Sequence, residues 1–257
     1  MILEMTTDRS KYYWAPVVRS SGHRADEAAG MTRIKKTRIF SPLRAPAVRP
    51  GPAGGPRDQN RRVRTRKLCA AGLALFLELG LDVASIDQIA RRAGVGKATF
   101  YAYFHDKEEL VATLLAPFRD RALAAMDACL ERILAASDFG QFARAQELMA
   151  AELMATFTDN LDVLRLLLQE ARGPASGARR PIRAFYDEIV ERAVEHNRAA
   201  LAEGLIRDIH PRVVAFINLG AIERLAVGML DGADLGAPAD VARSLAAVML
   251  AGLRRPR

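Results

Sequence analysis

The sequence predicts an all-α protein with two helical domains behind a tail, and three observations carry that expectation. Apolar residues recur at helical spacing over most of the chain beyond Arg61. Alternating β-branched runs, and hairpin dipeptides flanked by them, are nearly absent. Glycine and proline clusters divide the helical pattern into segments of ordinary length. At 257 residues, 50% hydrophobic and 6% aromatic, the chain is long enough to bury a substantial core.

Residues 1–60 read as a disordered, basic tail. Pro42, Pro46, Pro50, Pro52 and Pro56, with Gly51, Gly54 and Gly55, leave no room there for a packed core. Residues 1–30 lack the apolar stretch of a secretory signal. A first helix follows, with Ala71, Leu75 and Phe76 spaced for burial and Gly80 at its end.

The stretch 85–110, SIDQIARRAGVGKATFYAYFHDKEEL, has the spacing of two short helices joined by a glycine turn. Ile86, Ile89, Ala90 and Ala93 give the first an apolar face. Ser85 is placed to cap it, and Gln88 completes a capping box. Gly94-Val95-Gly96 supplies the turn, with Val95 pointing back to the core. In the next helix Phe100 and Phe104 are spaced to pack inward, whereas Ala98, Tyr101, Ala102 and His105 share the opposite face. That outer face suits a major groove: two alanines permit close approach to base edges, ringed by donors on Lys97, Thr99, Tyr101, Tyr103 and His105. An ordinary helical hairpin with a solvated aromatic face fits the same spacing.

Asp106 is expected to cap a helix reaching toward Leu134, with Glu108 and Glu109 favourable in its first turn and Pro117 bending it. Further helices are expected over 142–157 and from Asp159 through Leu168, then a loop at 173–177. A long helix from Pro181 should end at Gly204, with Asp208 capping the next at Pro211. The last two helices are expected over 212–230 and Pro238–Leu253. Both are rich in small and aliphatic residues suited to a four-helix bundle with a second copy, burial within one chain being the other possibility.

From residue 62 to about residue 121 the chain resembles the N-terminal DNA-binding domain of the tetracycline-repressor (TetR) family of bacterial transcription regulators. The resemblance rests on Ala71, Leu75-Phe76, Gly80, Ser85-Ile86, Ile89-Ala90, Ala93-Gly94-Val95, Lys97, Phe100-Tyr101, Tyr103-Phe104 and Lys107-Glu108-Glu109-Leu110. It implies three domains or segments: the tail 1–60, a helix-turn-helix domain 61–121, and an effector-binding and dimerisation domain 122–257. Arg62, Ser85, Gly96, Lys97, Ala98, Thr99, Tyr101, Tyr103, His105 and Lys107 are then the expected DNA-binding residues. Two positions depart from the pattern. Gly72 stands where alanine is usual, an expected penalty of ~0.5–1 kcal/mol, and Gly96 replaces a small polar residue, removing one phosphate contact.

Charge is unevenly distributed. Residues 1–67 hold 16 Lys/Arg against 5 Asp/Glu, a net +11, while the whole chain is +8, so the remainder is net −3. Arg61, Arg62, Arg64, Arg66 and Lys67 adjoin the proposed reading unit and suit phosphate attraction. The tail has two competing readings: a basic arm adding DNA contacts, or an over-extended gene start with translation from a downstream methionine such as Met31. An inert tail is the third.

The middle helices offer an effector pocket in Met149, Met154, Phe157, Leu164, Leu168, Phe185, Tyr186 and Ile189, alongside Leu153, because methionine tolerates irregular shapes and Tyr186 or Gln169 can orient a polar group. The same stripe also reads as plain core. Arg165 and Glu170 are expected as solvated or paired surface groups, His196 on a helix surface and His210 at a helix entry. His23, His105, His196 and His210 are scattered, and no metalloprotease, P-loop or nucleophile-elbow motif occurs. No enzyme, cofactor or metal site is expected. Cys69 and Cys129 read as buried hydrophobes in a reducing cytosol. Apolar runs such as 68–77 and 245–253 are shorter than the ~18–20 residues of a membrane span, so no membrane partner is expected.

The expectation is therefore a cytoplasmic, homodimeric, ligand-released repressor on a palindromic double-stranded operator, with a small apolar or amphipathic effector. The alternatives are a constitutive DNA-binding or packaging protein and a ligand-carrying helical protein.

Overall fold

A computed structural model describes residues 55–254. Every regular element among them is helical: α1 (Pro56–Leu79), α2 (Ile86–Arg92), α3 (Lys97–Tyr101), α4 (Lys107–Leu134), α5 (Phe139–Asp159), α6 (Leu161–Glu170), α7 (Arg180–Ala202), α8 (Pro211–Leu230) and α9 (Pro238–Leu253), with one 3-10 turn at Gly177–Arg179. The described residues are all-α, with a helix-turn-helix domain followed by a C-terminal helical domain. The readings of the tail fall outside the described residues up to 54. Its last residues do not: Pro56–Asn60 already belong to α1. Pro56 carries no N–H that the first turn would leave unpaired, and the Asp58 carboxylate lies 3.1 Å from the Arg62 guanidinium.

The reading unit folds as its local signals dictate. Gly80 ends α1 at φ 82°. At α2 the Ser85 hydroxyl accepts from the Gln88 N–H at 3.2 Å, and the Gln88 carboxamide oxygen accepts from the Ser85 N–H at 2.8 Å. Gly94 takes φ 70°, which admits the sharp turn toward α3. Phe76, Ile89, Phe100, Phe104 and Leu110 are fully buried together. Gly72 belongs to this packing. A Cβ there would lie 2.8 Å from the Leu110 Cδ2, so the expected glycine penalty is offset by the space it gives Leu110.

α4 continues unbroken through Pro117, and the 121/122 boundary falls inside it. It packs along α7 and α5, and one core runs from the reading unit into Val163 and Leu166 of α6 and Ile182 and Phe185 of α7. A second cluster, with Cys129, Ile133, Phe142, Ala200 and Ile206, closes the far end. Burial pushes both cysteine thiols up to about 12, which leaves them inert.

Four expectations are corrected. His196 is buried, and so is Glu170, which is held by Arg179. His210, rather than Asp208, occupies the cap position of α8. Finally, α8 is long and apolar enough, at 20 residues and mean hydropathy 1.7, to cross a membrane by length and composition. Counting uninterrupted apolar runs missed it, because Asn218, Glu223 and Arg224 interrupt the segment.

Candidate nucleic-acid interface and ligand cavity

α3 offers a small, open surface. Lys97, Ala98, Tyr101, Ala102 and His105 are exposed, with Gly94 and Gly96 beside them. Tyr101 is 51% exposed and sits edge-on against the buried Phe100 ring, 5.7 Å between centroids, so the core fixes its direction. Lys97 is held 3.1 Å from Asp87, an exposed pair whose ammonium can turn to a phosphate at little cost. Arg62 and Arg64 are exposed on α1.

Other expected contacts are engaged elsewhere. The Ser85 hydroxyl is committed to its capping box. Thr99 is half-buried, and Tyr103 is half-buried with its ring packed on the core. Lys107 donates to the carbonyls of Leu81 at 2.6 Å and Ala84 at 2.8 Å. Partial burial holds its ammonium below the usual lysine range, and it clasps the α1–α2 loop rather than facing outward. The charge pattern alone gave no sign of this role.

The second feature is a cavity of about 270 Å³ inside the C-terminal domain. All eight expected pocket residues line it. So do residues that the sequence reading left out, above all Glu223, Asn218 and His196. Glu223 had a legible signal: it stands on the apolar stripe Leu219, Ile222, Ala226, Met229 and Leu230 of α8, all of which reach the cavity. Phe118 stacks on Phe157 at 5.8 Å and meets Phe185 edge-on at 5.9 Å, with Tyr186 next in line at 6.4 Å. The Glu223 carboxylate lies beside Tyr186, and burial, then that carboxylate, pushes the phenol well above its ordinary value.

His196 donates from Nε2 to the Met126 carbonyl at 2.9 Å, which fixes the neutral tautomer. Burial holds it below its ordinary value of 6.5, although that hydrogen bond opposes the shift. The unfolded chain therefore takes up a proton that the folded chain refuses. Its contribution is complete above 6.5 and declines as pH falls toward the folded value. His196→Gln should flatten this acid-side loss, as read by urea melts at about pH 7 and about pH 5.

One helix joins the two features. Leu164, Leu167 and Leu168 of α6 line the cavity, and its last residues reach the reading unit. Gln169 donates to the Phe76 carbonyl at 3.3 Å, and Glu170 accepts from the Leu81 N–H at 3.3 Å. Arg179 bridges Glu170 at 2.7 Å and Asp82 at 2.9 Å.

Residues 68–114 match the family described as bacterial regulatory proteins, tetR family. The HTH-type transcriptional activator FasR of Mycolicibacterium smegmatis is 40% identical over 67 residues, which is 25% of this chain and 31% of FasR. The chain spans less than half the length of the curated relatives it matches. A putative TetR-family regulator from Syntrophomonas wolfei superposes with TM-score 0.57 at 20% identity over 72% of this chain and 92% of its own. FadR of Bacillus subtilis, solved in complex with stearoyl-CoA, gives TM-score 0.57 at 15% identity over 74% and 99%. These two structures share the fold.

Proposed function

Because the chain belongs to the TetR-like family of bacterial regulatory proteins, we propose that it is a transcription regulator that binds operator DNA as a homodimer and is released by a small apolar or amphipathic molecule. The observation that carries this is the span of α6, which lines the cavity at one end and holds the α1–α2 loop at the other. A ligand that fits better when α6 is displaced favours a spacing of the two reading heads that no longer matches half-sites about one helical turn apart. The exposed α3 face with Tyr101, Ala98 and Lys97 enters the groove, and Arg62 and Arg64 meet phosphates. Such a regulator works in the bacterial cytosol. A constitutive packaging protein would have no use for the cavity.

Pairing is assigned to α8 and α9. Phe216 and Ile217 of α8 and Val248 of α9 are 56%, 63% and 73% exposed, apolar side chains that a second copy would cover. Ala221 and Leu245 on the same two helices are half-buried, and Leu245 lines the cavity, so neither is placed to form the seam. Ile217→Glu with Val248→Glu should therefore give folded monomers whose DNA affinity falls at least about tenfold, since one head binds alone. Light-scattering mass with gel-shift titration checks this. A double variant that stays dimeric moves the interface elsewhere.

A further inference from the structure

We propose that the cavity selects a lipophilic monocation, an alkylammonium whose head sits at the Tyr186–Glu223 pair and whose tail runs along the apolar wall of Leu153, Phe157 and Leu164. This rests on the reading of the cavity as the effector site and adds the charge of the effector to it. Glu223 is the only charged side chain among the residues that line the cavity, since His196 is held neutral, and no lysine or arginine lies among them. The carboxylate is half-buried within an otherwise apolar wall, where a charge lacking a counter-ion is costly. Tyr186 beside it stays neutral and supplies no counter-charge. Arg172 is exposed, and its charge acts on Tyr186 more weakly than that of Glu223.

The aromatic rings point to the same class of ligand. Phe157, Phe118, Phe185 and Tyr186 form a continuous series of ring contacts ending beside Glu223. Ring faces attract ammonium groups, most strongly where water is excluded. An anionic head would instead meet the carboxylate with no lysine or arginine among the lining residues to offset it, and would be repelled where the dielectric is low.

The test uses three probes of matched length on the full chain, each with ten carbons in its main chain: decyltrimethylammonium, the net-neutral dimethyldecylamine oxide, and decanoate. Each is titrated calorimetrically below its micelle concentration and scored for release of bound DNA. Decyltrimethylammonium should bind at least about tenfold more tightly than decanoate, and Glu223→Gln should reduce that preference to within about twofold. Glu223→Asp should retain most of the preference, and thermal melts establish that each variant is folded. Equal or tighter binding of decanoate, or a preference that survives in a folded Glu223→Gln protein, overturns the charge assignment. If all three probes bind alike and release DNA, the effector cavity stands without its charge selectivity. If none binds a folded, DNA-competent protein, both the cavity reading and this inference fall.

Discussion

Phe100→Ala is expected to cost about 3–5 kcal/mol of stability, because a fully buried ring at the meeting point of α1, α2 and α3 is lost. Its neighbour Tyr101 behaves oppositely. Tyr101→Ala removes a half-exposed side chain, so the melting temperature should change little while DNA affinity falls several-fold. Thermal melts and gel-shift titrations on both variants distinguish the two roles. Undiminished DNA affinity in a folded Tyr101→Ala protein would remove α3 from the interface.

The second large effect lies at the junction. Arg179→Met would leave the Glu170 carboxylate, 5% exposed, without its cation and should cost about 3 kcal/mol. Asp82→Asn should cost far less, because that carboxylate is 76% exposed and water already screens its pair with Arg179. Denaturant melts of the two variants measure the difference. Equal losses would mean that the outer pair, rather than the buried one, ties the domains together.

The order and type of the helices were legible because the signals are local. Ser85 with Gln88, Gly94, Gly204 and the spacing of Phe100 and Phe104 each act within one or two turns. The cavity lining was legible in part: the stripe through Met149, Met154 and Phe157 reaches it as read. Long-range pairings were not legible. Nothing near Lys107 in sequence indicates that its ammonium will cap carbonyls 23 and 26 residues away. The same holds for Glu170, which reaches 89 residues back to Leu81. The burial of His196 depends on α7 lying against α4, which its own helical pattern does not specify. α1 began earlier than expected because proline at a helix start resembles proline in a tail.

Two copies of this chain are proposed to read DNA through paired α3 helices. The most direct measurement is selection of bound fragments from a pool of randomised duplex DNA by the purified full chain, followed by sequencing. The expected product is an inverted repeat with half-sites about one helical turn apart, lost when Tyr101 is replaced by alanine. Enrichment of a single unrepeated element, or of no sequence at all, would contradict it.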